Sequence, residues 1–375
     1  MSEGASLRDR WRDWRNRKLA DPDFQHRAIA NPLLRPFARM GVRRSFDLVA
    51  GFVYSQTLAA FVALDLLDRL KEAPQSEAAL SDATDLDPAA LNRLMKAAAA
   101  VGLAERFDDG RWGLGADGAA LAGSPGARAM IRHHDALYRD LTNPVALLRG
   151  EAGETELARF WRYAGEADGR AVKPEEAEGY SRLMAESQSL LAEEILAAYP
   201  MDGTRRILDV GGGGGAFLTA VAARHPQAQL TLFDLPGVAE YARAEIARRG
   251  LAKRISVAAG DFMHDPLPAG CDLITLVRIL HDHDDDKALA LLKACRVALA
   301  DVGALLIAEP MSGRADAARV ADAYFGFYLL AMGSGRARTP DEISALLDAA
   351  DFRIVTPLTT RNPLMVQAIA ARPRA

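Results

Sequence analysis

The chain has 375 residues, 50% of them hydrophobic and 26% charged, with a formal net charge of -4. That length suits roughly two domains, and the apolar content excludes a disordered or low-complexity protein. The small charge gives no overall pull toward nucleic acid, and a content of only two cysteines, Cys271 and Cys295, excludes a disulfide framework and suits a reducing, cytoplasmic setting.

Residues 1–45 form a basic arm, with eleven Lys/Arg against five Asp/Glu and with Trp11, Trp14, Phe24 and Phe37 interleaved. They lack the apolar core of a signal peptide. Packing on a partner subunit is the first expectation for the arm. Contact with an anionic lipid surface is the sharper one, and Asp9, Asp13, Asp21 and Asp23 count against it. The longest apolar run, residues 46–67, is broken by Asp47, Gln56 and Asp65 and reads as a buried helix rather than a membrane span.

Residues 46–120 read as a winged helix. A long helix covers 46–70, a second opens at Ser76, and Asp87-Pro88 caps a third that runs to Val101. Residues 103–107 and 111–114 flank Asp108-Asp109-Gly110 as a hairpin. The helix over 89–101 is mostly Ala, Leu and Met, with Asn92, Arg93 and Lys96 as its polar reach. A groove-reading helix needs more polar and basic side chains, so this module is expected to dimerise and to bind no nucleic acid. Residues 121–200 read as a helical connector that contributes to a substrate pocket. His133, His134, Phe160, Trp161 and Tyr163 are read there as core or surface, while a helix over 180–199 turns Leu183 and Met184 inward.

Residues 201–375 carry the chemistry. A strand over 206–210 contains Asp209 near its end, and Gly211 to Gly215 then lead into a helix. Such a turn brings backbone N–H groups and a helix N-terminus to a small ligand. Gly211, Gly213 and Ala216 fit the dinucleotide spacing, but a carboxylate at Asp209 would repel the pyrophosphate of NAD. It suits the ammonium and sulfonium of S-adenosylmethionine (SAM). The order of readings is SAM, then NAD, then an empty turn. A second strand ends at Asp234, placed to grip ribose hydroxyls and followed by Leu235-Pro236; a third leads to Asp261 and Phe262, suited to the adenine amine and ring.

The fourth strand, 272–277, runs into Arg278-Ile279-Leu280-His281-Asp282, ahead of a helix over 287–299. His281 stands at the carboxyl end of a central strand, where a neutral imidazole can take a hydroxyl proton during methyl transfer. A metal held by His281, Asp282 and His283 lacks a clear further ligand, so no metal is expected. The fifth strand, 303–308, ends in Glu309, placed to hold the far nitrogen of His281. The helix over 324–332 is apolar on nearly all sides, so Phe325, Tyr328 and Met332, with Met184, are the expected pocket walls. Strands over 352–357 and 364–370 close the domain as a hairpin. The fold class is α/β, a Rossmann-like methyltransferase sheet of five parallel strands plus a terminal hairpin with one antiparallel strand.

Five motifs in order, Leu208-Asp209-Val210 with its glycines, Phe233-Asp234-Leu235-Pro236, Gly260-Asp261-Phe262-Met263, Ile279-Leu280-His281-Asp282 and Glu309-Pro310, resemble the SAM-dependent O-methyltransferases of the plant caffeate and acetylserotonin type. The likeness covers about residues 46 to 372. It implies a homodimer, His281 as general base with Glu309 and Asp282 beside it, and Asp209, Gly211, Gly213, Asp234 and Asp261 on SAM, with Leu235, Phe262 and Arg278 in the cofactor site. Two positions depart from the pattern: Ala337 stands where plant enzymes often carry a second orienting acid, and Arg278 where many relatives have Trp.

The basic arm, together with residues 46–56, looks similar to the carotenoid hydroxyl methylases of purple bacteria, the hydroxyneurosporene and demethylspheroidene O-methyltransferases. That narrower likeness implies methylation of the tertiary 1-hydroxyl of an acyclic carotenoid, at a site peripheral to the inner or photosynthetic membrane. The alternatives are a phenolic or small aromatic hydroxyl as substrate and, further off, an NAD-dependent oxidoreductase or a winged-helix regulator that binds SAM.

Overall fold

Ser6 caps the first helix, α1 (Leu7–Ala20), and Asp21 caps the second, α2 (Pro22–Ala30), with proline at its first position. The computed structural model describes residues 6–161, 191–364 and 366–374, in two compact units, Met1–Ala120 and Leu121–Ala375. Tyr163, read as core or surface, and Leu183 and Met184, expected to turn inward with Met184 at the pocket, lie outside the described residues.

In the first unit the long helix, α3 (Arg35–Ala63), begins earlier than its sequence suggests. It ends where Asp65 adopts a left-handed φ of 53°, and the expected single helix restarts as α4 (Leu66–Glu72). The expected burial is also revised. The buried residues of α3 are Thr57, Phe61 and Val62, while Phe46, Leu48, Val49 and Phe52 are 61%, 86%, 71% and 71% exposed. By length and composition α3 is apolar enough to cross a membrane. An apolar stripe records only that a face is covered, and its own chain leaves this one open.

After α5 (Glu77–Thr84) comes α6 (Pro88–Ala100), which buries Leu91, Met95 and Ala98, one face of a helix at i, i+4 and i+7. Asn92, one of its few polar residues, donates to the Glu77 carboxylate. Two short antiparallel strands, β1 (Ala104–Arg106) and β2 (Trp112–Leu114), form the wing.

Among the described residues the second unit builds a seven-stranded sheet from β3 (Arg206–Val210), β4 (Gln229–Asp234), β5 (Ile255–Ala259), β6 (Cys271–Val277), β7 (Leu299–Glu309), β8 (Phe352–Leu358) and β9 (Gln367–Pro373). The order is β5-β4-β3-β6-β7-β9-β8; β3 to β7 run parallel, and β9 is antiparallel to both neighbours. This is the methyltransferase arrangement expected from the strand pattern. Alternate side chains feed two cores. Ile207, Leu230 and Leu306 pack with Phe217, Val221 and Ile246, while Leu208, Ile274 and Ile307 pack with Leu291, Leu292 and Ile343. The strand order reverses between β3 and β6, and it is outside the carboxyl ends of the strands at such a reversal that open α/β sheets bind ligands. A third cluster gathers Leu137, Leu157, Trp161, Phe325, Tyr328 and Met332. The segment 319–332 is not one regular helix: a wide π-helical turn, Arg319–Phe325, precedes α-helical Gly326–Met332.

Candidate active site

Asp209 is the penultimate residue of β3 and 1% exposed. Its Oδ1 accepts from Thr275 Oγ1 of β6 at 2.6 Å, and its Oδ2 is buried without a hydrogen-bond partner among the described residues. Burial pushes its carboxyl up to about 7, against the pull of the Thr275 bond. An unpartnered carboxylate oxygen at the carboxyl end of β3 is one that a cationic ligand would satisfy.

The glycine turn follows directly. Gly211 has φ of 70°, and a Cβ there would lie 2.4 Å from Ile279 Cδ1, so both conformation and space require glycine. The N–H of Gly213 donates to Asp234 Oδ2 at 2.8 Å, and that of Leu235 donates to Oδ1 at 2.8 Å. Asp234 therefore leans over the glycine turn, its carboxyl raised to about 6 by burial. Asp261 accepts from the Met263 N–H and pairs with His264 Nδ1 at 2.8 Å, which fixes it at the same end of the sheet. Phe262 stands edge-on to His283 with ring centroids 5.2 Å apart. These residues supply a buried acid, a turn without side chains, a second acid leaning on that turn and an aromatic face, which together fit SAM.

His281 does not sit on β6 itself but on a single 3-10 turn, Leu280–Asp282, just beyond it, and is 2% exposed. Its Nε2 lies 3.3 Å from Asp282 Oδ1, while Nδ1 is buried without a hydrogen-bond partner among the described residues. Burial, reinforced by the Arg278 charge, holds the imidazole well below the usual histidine range. Burial also pushes the Asp282 carboxyl up to about 8. Both side chains thus favour their uncharged forms.

Glu309 takes a different part from the one its position suggests. Its Oε1 accepts the backbone N–H of His281 at 3.1 Å, and the neighbouring N–H groups of Leu280 and Ile279 also face it. Three amides at the start of a turn are the stronger claim on a carboxylate, so Glu309 caps the turn and Asp282 meets the imidazole. Burial brings Glu309 to about 7. Arg278 adopts a left-handed φ of 58° and carries its guanidinium over the Phe325 ring at 5.4 Å, which makes it part of the aromatic wall.

That wall continues from His281. The Phe325 ring lies 5.4 Å from the imidazole, and Tyr324 and Tyr328 follow within 5.8 Å of each other. Trp161 Nε1 donates to the Tyr328 hydroxyl at 2.9 Å, and His133 Nε2 meets the same hydroxyl at 2.8 Å. His134 Nε2 lies 2.7 Å from the Tyr324 hydroxyl. Burial lowers His133 to about 4, so the pair stays neutral. Phe325 thus reaches the base and Tyr328 the second row, while Met332 packs within the apolar cluster. Sequence reasoning passed over Thr275, although a lone threonine in the run Leu273-Ile274-Thr275-Leu276-Val277 is a visible signal. Among the described residues no group of three or more His, Cys, Asp or Glu is placed to hold a metal.

Comparison with known proteins identifies the family. Residues 138–353 match the O-methyltransferase domain, and residues 46–120 match the O-methyltransferase dimerisation domain. Demethylspheroidene O-methyltransferase of Cereibacter sphaeroides is 46% identical over 348 residues, covering 93% of this chain and 91% of that one. The enzyme of the same name from Rhodobacter capsulatus is 43% identical over 91% of this chain and 84% of its own length. Among solved structures, the mitomycin 7-O-methyltransferase superposes with a TM-score of 0.75 at 26% identity, covering 90% of this chain and 99% of that one. The calicheamicin-biosynthesis methyltransferase, solved with SAH bound, gives 0.73 at 26%, covering 89% and 98%. With both of its domains matched and close likeness along nearly its whole length, the chain belongs to the SAM-dependent O-methyltransferases and carries their homodimerising domain.

Proposed function

We propose that this enzyme methylates the tertiary hydroxyl of an acyclic carotenoid, with His281 as the general base. The observation that carries the base is the buried, neutral imidazole whose Nδ1 is left without a partner beside the aromatic wall of Phe325, Tyr324 and Tyr328. SAM supplies the methyl group as an electrophile on sulfur. A neutral imidazole takes the substrate proton on the ring nitrogen that carries none. The hydroxyl oxygen forms the new bond to the methyl carbon, the carbon–sulfur bond breaks toward sulfur, and the proton passes to His281. A tertiary alcohol is far less acidic than a phenol, so proton and methyl must move together. The enzyme contributes chiefly alignment and the exclusion of water. The substrate class is supported by the demethylspheroidene enzymes and by the apolar wall, which suits a polyene.

Such a substrate resides in a bilayer, and α1 is suited to one. At 3.6 residues per turn, Leu7, Trp11, Trp14 and Lys18 share one face, Arg8, Arg10, Arg15 and Arg17 flank it, and Asp9 and Asp13 lie opposite. Leu7, Trp11 and Trp14 are 81%, 55% and 55% exposed. Acids segregated away from a basic, aromatic stripe match an anionic membrane surface. The helix also lies outside the matched dimerisation domain.

The test gives purified protein methyl-labelled SAM and hydroxylated acyclic carotenoids in phosphatidylglycerol vesicles. Label is expected in a carotenoid methyl ether, and the Trp11→Ala, Trp14→Ala double variant is expected to lose about tenfold in vesicle binding. Label confined to a panel of phenols would keep the enzyme class and discard the polyene. Equal binding of both proteins to anionic and neutral vesicles would discard the arm's role.

A further inference from the structure

The segment 334–338 was notable in the sequence for the acid it lacks at Ala337; the structure shows what it contributes instead. The Arg338 side chain is completely buried. Its Nη1 donates to the Leu280 carbonyl at 2.8 Å, Nη2 to the His283 carbonyl at 2.7 Å, and Nε to Asp285 Oδ1 at 2.9 Å. The two carbonyls between are taken by the same segment. The Arg336 N–H donates to the His281 carbonyl at 2.9 Å, and Ser334 Oγ donates to the Asp282 carbonyl at 2.9 Å. Four consecutive carbonyls, 280 to 283, are thus held from one side, while Glu309 holds the amide of His281 from the other. Close approach is possible because position 335 is glycine: a Cβ there would lie 2.1 Å from the His281 carbonyl oxygen.

A single 3-10 turn cannot hold its own shape, since it closes too few internal bonds to offset the ordering of its backbone. The orientation of His281 must therefore come from outside the turn. We propose that Arg338 is the positioning residue for His281: its guanidinium fork clamps the carbonyls of Leu280 and His283 and so fixes the imidazole toward the substrate side. This rests on the reading of His281 as the base. It also accounts for the absence of an orienting acid at Ala337, because the support reaches the turn through the backbone. A lysine could supply the charge but not the rigid fork.

The arginine has a second effect that a purely structural residue would lack. Its charge lowers the proton affinity of His281, Glu309 and His283. Arg338→Met should therefore move the acid limb of the kcat profile to higher pH, because the base then holds its proton more tightly. Asp285→Asn, which leaves the arginine charge without its carboxylate, should move the limb the other way.

The experiment measures kcat, KM, SAM affinity and the pH profile for Arg338→Met, Arg338→Lys and Asp285→Asn, with His281→Ala in parallel. Arg338→Met should lower kcat by about tenfold with SAM affinity within about twofold, and shift the acid limb upward. Arg338→Lys should restore the profile but only part of kcat. Normal kcat in Arg338→Met, or a loss shared equally by SAM affinity and kcat with an unmoved pH profile, overturns the proposal. Should Arg338→Met fail to fold, the limb in Arg338→Lys and Asp285→Asn decides, and an unmoved limb in Asp285→Asn counts against it. Normal turnover in His281→Ala removes the base itself and is thereby told apart from a failure of the clamp.

Discussion

His281→Ala is expected to bind SAM with nearly unchanged affinity and to lose turnover by about 10²-fold or more. The imidazole lies beyond the glycine turn, on the 3-10 turn after β6, so its removal leaves Asp209, Asp234 and Asp261 as they were. The loss should fall on kcat and leave the cofactor term alone. The pH dependence has a definite sign. Because burial depresses the imidazole, the base is free across the neutral range, and activity should fall only as pH drops below the ordinary histidine value. The neighbouring Asp282 carboxyl is raised to about 8 by burial, so it is uncharged across the same neutral range. Single-turnover rates with labelled SAM measure the effect, and near-normal turnover in the alanine variant would sink the general-base role.

Asp209→Ala is expected to do the reverse, weakening SAM by about 10- to 100-fold, the range for a charge-assisted contact in a buried setting. The orphaned Oδ2 is the physical reason: it is desolvated in the free protein and compensated only when a cation arrives. Burial has raised this carboxyl to about 7, while a cationic ligand requires its ionised form. SAM affinity should therefore decline as pH falls below about 7, by at most tenfold per unit, with a proton released on binding below that point and none well above it. Calorimetry at several pH values, in buffers of different ionisation enthalpy, reads both effects. If affinity proves indifferent to pH and to the substitution, the carboxylate does not hold the cofactor, and the argument that set SAM above NAD goes with it.

The parts of this site that were legible in the sequence are those fixed by short stretches of chain. An apolar run ending in an acid and a glycine turn marks β3 and its loop, and the same grammar marks Asp234 and Asp261, because a parallel strand is buried on both faces and ends abruptly. His281 could be placed near the carboxyl ends of the strands for the same reason. Its support could not. Arg338 meets Leu280 across 58 positions, and His133 meets Tyr328 across 195, contacts that no local period encodes. Glu309 was placed correctly at the end of β7, but which of two neighbours it would bond depended on three backbone amides turned toward it. The exposure of α3 was hidden because an interface stripe and a core stripe have the same periodicity.

Phe46, Leu48, Val49 and Phe52 face away from their own chain along a helix about 44 Å long. A lone protomer in dilute solution would keep that flank wet, so reaching the native state is second order in protein. Mass action then governs durability: melting temperature should climb with protomer concentration, and a scan at tenfold lower concentration should unfold measurably earlier. Dilution is in this sense a denaturant for the enzyme, and a melting temperature independent of concentration would mean that the protomer stands without its twin.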